Sequence, residues 1–294
     1  MKRFIPILVC LLTCLPAAAI PERIWEGTEC RAKEVTLEAF LPEGTPRAAV
    51  IVCPGGSYHW LDEANEGVAV ARWLSGQGIA AYLLRYRVAG KIEFVARFRR
   101  FSRGRRHPDM ICDLQRAIQL VRERYDGPVG VMGFSAGGHL AMLAAERFST
   151  NFLACYGIDP EVSLRPDFVA PVYPVVTFSD ERYMHRRSCV GILGSDRDRA
   201  LRDSLSLELH VAPDGPPVFL LNCTDDPIVD YHNSLLLDSA LSVNGVPHLY
   251  VRYATGGHGF GACRKKQNAE TSAWQDSFLS WLNEVINKQE PYDN

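Results

Sequence analysis

The segment Gly133-Phe134-Ser135-Ala136-Gly137 carries the clearest chemistry in this sequence. A serine with glycine two residues away on each side fits a sharp strand-to-helix turn, where a larger side chain at either flank would meet backbone. The apolar run Val129 to Phe134 precedes it and helical spacing runs from Ala136 to Phe148, so the context matches that turn. A hydroxyl held there projects above the end of a strand. The helix N-terminus beneath it favours the negative charge that develops during acyl transfer. Ser135 is the expected nucleophile.

A serine nucleophile needs a base, and the base needs an orienting carboxylate. Of the eight histidines, His258 stands in Gly256-Gly257-His258-Gly259-Phe260-Gly261, after a late strand and before the final helix. A loop of that composition can bring an imidazole to the sheet's C-terminal edge. His139 is the nearer candidate in sequence, but four residues past Ser135 it lies one helical turn away, where packing or hydrogen bonding is the ordinary role. His59, His107, His185, His210, His232 and His248 lack comparable context.

The acid is expected after a strand between the serine and the histidine. Leu220 to Pro227 offers Asp225 and Asp226. Asp226 is the choice, because Pro227 fixes the turn just past it; Asp225 is then a turn or capping residue and Asp230 a distant third. Preorganised donors for an oxyanion are expected from Pro54-Gly55-Gly56-Ser57-Tyr58, which follows an early strand. The N–H groups of Gly56 and Ser57, with that of Ala136, form the expected hole.

Positioning these groups calls for a layered framework. The continuously apolar run Ala48 to Cys53 and the strand Ile79 to Tyr86 flank helical spacing at Val68, Val70, Ala71 and Leu74, a βαβ unit with strands covered on both faces. A helix follows from Pro108 to about Tyr125, with Ile111, Leu114, Ile118 and Val121 on one face. Val35 to Phe40 is an additional early strand. Strands at Val129 to Phe134, Phe168 to Val176, Val218 to Cys223 and His248 to Tyr253 alternate with helices at Ser234 to Val243 and Thr271 to Asn287. This order predicts an α/β chain with a mostly parallel sheet and helices on both faces, in one domain over residues 20–294.

Lys2 and Arg3, the apolar run Phe4 to Leu15 and Ala17-Ala18-Ala19 read as a signal peptide cleaved after Ala19. The run falls short of the roughly 20 residues a spanning helix needs, and Thr13 before Cys14 departs from a lipid-attachment pattern. A secreted or periplasmic protein is expected, without stable membrane insertion. Composition is that of a globular chain: 294 residues, 47% hydrophobic and 22% charged, with a net charge of -2. No global positive excess draws it to nucleic acid. Of nine cysteines, Cys10 and Cys14 leave with the leader; the odd number remaining leaves at least one thiol free. None stands at zinc-ligand spacing, and neither a metal nor a cofactor is called for. The one break in rhythm is Gly90 to His107, where seven basic residues interleave with Phe94, Phe98 and Phe101. It reads as an inserted surface segment, or as a substrate rim able to receive an acidic ester.

The motifs PGGSY, NEG at Asn65 to Gly67, YR at Tyr86-Arg87, GFSAGGHLA from Gly133, APVYPV from Ala170, DDPIV from Asp225 and GGHGFG together resemble the α/β-hydrolase superfamily. Within it they are similar to the secreted acetyl-esterase branch, often described as xylan or feruloyl esterase-like. The resemblance runs from about Ala48 to Leu282. It implies an α/β-hydrolase fold and carboxylic-ester hydrolysis without a cofactor, on a small-molecule or oligosaccharide ester, often an acetylated plant polysaccharide. Ser57 stands where relatives carry glycine. A general short-chain carboxylesterase is the neighbouring reading. A prolyl-oligopeptidase-type serine peptidase shares the catalytic order but carries a propeller or cap for which this length leaves no room. A dienelactone hydrolase would carry cysteine at position 135, and a non-catalytic module would not fill every site position.

Overall fold

A computed structural model describes residues 20–90, 105–195 and 198–289. The expected signal peptide and positions 91–104 of the Arg-rich segment lie outside the described residues. Eight strands form one sheet: β1 (Glu22–Arg23), β2 (Thr36–Phe40), β3 (Ala49–Cys53), β4 (Ala80–Arg85), β5 (Val129–Phe134), β6 (Phe168–Val172), β7 (Val218–Cys223) and β8 (His248–Tyr253). Their spatial order is β1-β2-β4-β3-β5-β6-β7-β8. β1 and β2 pair antiparallel and β2 meets β4 antiparallel; every pairing from β4 through β8 is parallel.

The apolar runs form central strands because both faces of the sheet are covered. In β3, Ala49, Ile51 and Cys53 join one core while Val50 and Val52 join the other, as the two-residue period of a strand requires. The first core takes helices α2 (Asp109–Arg122), α3 (Ala136–Glu146) and α6 (His232–Val243) through residues such as Ile111, Leu140 and Leu237. The second takes α1 (Ala69–Gly76) and α7 (Trp274–Gln289) through Leu74, Trp274 and Phe278. Two short helices, α4 (Arg186–Leu193) and α5 (Arg199–Ser204), lie between β6 and β7. No helix among the described residues is long and apolar enough to cross a membrane.

Behind the sheet's first turns, Arg87 is locked to α2. Asp113, fully buried, accepts from the Arg87 backbone N–H at 2.8 Å, from its Nε at 3.0 Å, from its Nη2 at 2.8 Å and from Trp25 Nε1 at 2.7 Å. Four-fold donation of this kind offsets the cost of burying the pair. The neighbouring Tyr86 hydroxyl donates to the Pro54 carbonyl at 2.6 Å and so steadies the loop after β3.

Several boundaries differ from expectation. The strand expected over Phe168 to Val176 ends at Val172, because Tyr173 takes a positive φ of 38° and Val175 N–H turns to the Ser135 carbonyl at 3.2 Å. The helical spacing from Val68 begins instead in a π-helical turn, Glu63–Val68, which Asp62 caps. Neither that turn nor α4 and α5 has an apolar period long enough to read from sequence. All seven cysteines from Cys30 onward are free thiols.

Candidate active site

The residues expected to do chemistry sit beyond the C-terminal ends of parallel strands, the edge at which open α/β sheets bind ligands. Ser135 lies between β5 and α3 with φ 54° and ψ -117°, a strained conformation for a residue with a Cβ. Its N–H donates to the Val172 carbonyl at 3.0 Å, and its own carbonyl accepts from His139 and Val175. The flanking glycines are a steric necessity: a Cβ on Gly133 would overlap the Gly137 carbonyl, and one on Gly137 would overlap that of Cys53.

His258 and Asp226 meet through a 2.6 Å contact between Nδ1 and Oδ2. The Asp226 side chain is 1% exposed and the His258 side chain 10%. The other carboxylate oxygen of Asp226 accepts from the N–H groups of Ile228 and Val229 at 2.8 and 3.0 Å, fixing the carboxyl plane. With an ionised Asp226 accepting, Nδ1 of His258 carries the proton and Nε2 is the available acceptor. Tyr173 packs under the imidazole with ring centroids 4.6 Å apart.

The choice between neighbouring aspartates is visible in their partners. Asp225 accepts the N–H groups of Gly256 and Gly257 at 3.2 and 2.8 Å, so it shapes the loop that carries His258 without touching the imidazole. Asp230 bonds His232 instead. His139 is fully buried, accepting from the Tyr58 hydroxyl at one ring nitrogen and donating to the Leu205 carbonyl at the other, each at 2.8 Å. Burial lowers its pKa to about 4 and keeps it neutral. It is a structural residue.

Gly56, Ser57, Ser135 and His258 line one cavity of about 520 Å³. Ser57 and Tyr58 both take left-handed backbone angles, φ 55° and 61°, so the chain turns sharply where it borders that space. Ala136 is the first residue of α3, where amide hydrogens have no helical acceptor. Gly55 N–H, by contrast, is committed to Glu66 Oε2 at 2.8 Å. The expected oxyanion donors Gly56 and Ser57 thus line the same cavity as Ser135 and His258, while Ala136 follows Ser135 directly in the chain.

The cavity also contains residues to which the sequence assigns no place in the site. Trp60, Pro227 and Ile228 supply apolar wall, and Asp62, Glu66, His185 and Arg187 supply charge or polarity. His185 precedes α4, with Nδ1 2.8 Å from Ser188 Oγ, and burial lowers its pKa to about 4. His59 stands 2.8 Å from the Ser57 carbonyl and buttresses the turn. Neither shows a linear signal, since His185 lies in a segment without periodicity and His59 reads as ordinary loop. The Arg-rich segment leaves from beside this loop, where Ala89 and Gly90 N–H bond to the Tyr58 and His59 carbonyls, and returns where His107 N–H bonds to Ile192 in α4.

Comparison with known proteins identifies the family and the fold. The family model described as BD-FAE matches residues 37–241. The chain is 30% identical over 235 residues to the acetylxylan esterase of Xylanibacter ruminicola, covering 76% of this chain and 43% of that protein. It spans less than half the length of the curated relatives it matches. The crystal structure of an acetyl ester-xyloside bifunctional hydrolase from Caldicellulosiruptor lactoaceticus is 29% identical, with a TM-score of 0.75, 93% of this chain and 98% of that chain covered. An α/β hydrolase enzyme, MGS-M1, from a Medee basin deep-sea metagenome library shares the fold at 20% identity and a TM-score of 0.63, covering 93% of this chain and 100% of its own. The α/β-hydrolase fold expected from the sequence is the fold observed.

Proposed function

The chain belongs to the BD-FAE family, and from that membership we propose that it is a serine carboxylic-ester hydrolase that removes acetyl groups from xylan-type carbohydrate. The observation that carries the reading is the 2.6 Å contact between His258 Nδ1 and Asp226 Oδ2, behind an imidazole that shares its cavity with Ser135. Relatives named acetylxylan esterase and acetyl ester-xyloside hydrolase support the acetyl ester as substrate. A cavity of about 520 Å³ with Trp60 and Ile228 in its wall suits a sugar ring on the alcohol side.

In the proposed mechanism His258 Nε2 takes the proton of Ser135 as Oγ attacks the ester carbonyl. Asp226 holds the imidazole in the required tautomer and stabilises its cation. The N–H groups of Gly56, Ser57 and Ala136 receive the developing oxyanion, each such donor being worth about 10²–10³ in rate. The alcohol leaves with the proton from His258, giving an acetyl-Ser135 intermediate. Water, deprotonated by the same imidazole, then releases acetate and restores the serine.

Export is part of the proposal, supported by Lys2, Arg3, the apolar run to Leu15 and Ala17-Ala18-Ala19. It meets a polymeric substrate outside the cell, and a mature chain beginning at Ile20 is the expected product. The substrate assignment is tested by offering acetylated xylo-oligosaccharides beside p-nitrophenyl acetate, p-nitrophenyl butyrate and prolyl amides. Acetate release from the sugar is expected to exceed turnover of the butyrate and amide substrates. Turnover of p-nitrophenyl esters alone moves the natural substrate to another short-chain ester, and amide turnover alone overturns the esterase reading.

A further inference from the structure

The NEG segment, Asn65 to Gly67, takes no part in the proton transfers above, yet it touches both loops that carry them. Glu66 lies in the π-helical turn Glu63–Val68 and is 3% exposed at the cavity wall. Its Oε2 accepts Gly55 N–H at 2.8 Å, in the loop that supplies the Gly56 and Ser57 amides. Its Oε1 accepts the Tyr173 hydroxyl at 2.9 Å. That hydroxyl in turn accepts Gly261 N–H at 3.0 Å, three residues past His258.

The direction of this chain of hydrogen bonds is fixed by donor count. Tyr173 has one hydroxyl proton, and because its oxygen receives Gly261 N–H, that proton goes to Glu66. Both carboxylate oxygens of Glu66 are thus acceptors, the arrangement an ionised carboxylate satisfies best. A second contact runs in parallel. The Asn65 carbonyl accepts Ala262 N–H at 3.2 Å, and a Cβ on Gly261 would collide with that same carbonyl. Backbone of the histidine loop is therefore pressed against the turn that bears Glu66.

We propose that Glu66 is a positioning residue that sets the oxyanion loop and the His258 loop in register, through Gly55 on one side and through Tyr173 and Gly261 on the other. The two loops come from opposite ends of the chain, after β3 and after β8, and the sheet places them on the same edge without fixing the distance between them. A single carboxylate bonded to both does. Errors of about 1 Å in that distance cost on the order of 10² in rate, because the amides and the imidazole must serve the same carbonyl group at once. An amide of the same shape at position 66 leaves the cavity wall filled, so ground-state binding of the ester is expected to change little.

The proposal rests on the esterase reading for its kinetic consequence, while the coupling of the loops has a readout that needs no substrate. Wild type, Glu66→Gln, Tyr173→Phe and the double variant are compared by steady-state hydrolysis of p-nitrophenyl acetate, by thermal melting and by amide hydrogen exchange at Gly55 and Gly261. Glu66→Gln keeps one acceptor oxygen in place of two. It is expected to lower kcat about 10- to 100-fold with KM changed less than about threefold, and to speed exchange in both loops. Tyr173→Phe removes one hydroxyl and is expected to speed exchange at Gly261 alone, with a smaller fall in kcat. The double variant is expected to lose less than the product of the single losses, since both act through one chain of bonds.

Unchanged exchange at both amides in a folded Glu66→Gln protein overturns the proposal, as does a loss carried wholly by KM. Where Glu66→Gln fails to fold, Tyr173→Phe decides: exchange at Gly261 at the wild-type rate, with wild-type kcat, overturns it. A wild-type protein without ester turnover sinks the esterase reading instead, and the exchange comparison still decides whether Glu66 couples the loops.

Discussion

His258 Nδ1 lies 2.6 Å from Asp226 Oδ2, while the adjacent Asp225 reaches only the backbone of the histidine loop, at Gly256 and Gly257. Two consecutive carboxylates thus bond different parts of one loop, Asp226 the imidazole of His258 and Asp225 the backbone that carries it.

That division predicts unequal effects of the same substitution. Asp226→Asn presents an amide to Nδ1 and favours the wrong tautomer, and kcat for p-nitrophenyl acetate is expected to fall about 10⁴-fold. Asp225→Asn loses an ionic acceptor for two glycine amides, and a fall of about tenfold or less is expected. Steady-state kinetics on the two purified variants checks this, and equal losses would show that the roles are not divided.

Gly137→Ala is expected to damage folding as well as activity. The added methyl group would overlap the Cys53 carbonyl, which belongs to β3 and cannot move without disturbing the sheet. A loss of about 2–4 kcal/mol is expected from forced displacement of packed backbone, read as a lower midpoint in urea unfolding. An unchanged midpoint would mean that the elbow is looser than its geometry.

Stability is expected to fall as pH drops from about 6.5 toward about 4. His107, His139 and His185 each have their pKa lowered from 6.5 to about 4, in every case first by burial. In that window the unfolded chain binds protons on these histidines that the folded chain refuses, so acid favours unfolding; above about 6.5 the difference vanishes. Each contributes a slope of up to about 1.4 kcal/mol per pH unit. Urea midpoints measured from pH 7.5 to 5 check the direction, and His139→Gln is expected to flatten the slope whatever it does to stability at neutral pH. A flat dependence in the wild type would contradict the buried, neutral state of these rings.

The parts of the fold that are legible in the sequence are those where burial on both faces writes a continuous apolar run. Val129–Phe134 and Val218–Cys223 appear at their expected bounds because apolar residues dominate them, Asn222 being the one polar side chain in either. Around Tyr173 the sequence misleads, since APVYPV reads as unbroken strand while the chain leaves the ladder at Val172 to bond the Ser135 carbonyl. Ser135, Asp226 and His258 are legible because strained or glycine-flanked turns leave local marks. Glu66, His59 and His185 are not, because their roles come from neighbours brought by the sheet across the whole chain. NEG appears in the sequence only as one motif of the family resemblance, and the bonds from Glu66 to Gly55 and Tyr173 become visible only in the structure.

The most direct test of Ser135 as the nucleophile is a pair of intact proteins treated with a fluorophosphonate, with adducts mapped by peptide mass and acetate release from acetylated xylo-oligosaccharides followed in parallel. Wild type is expected to take one adduct, on Ser135, and to lose acetate release in step with labelling. Ser135→Ala is expected to take none and to release no acetate above background while melting within a few degrees of wild type. An adduct at another residue, or near-normal acetate release by Ser135→Ala, would contradict the assignment.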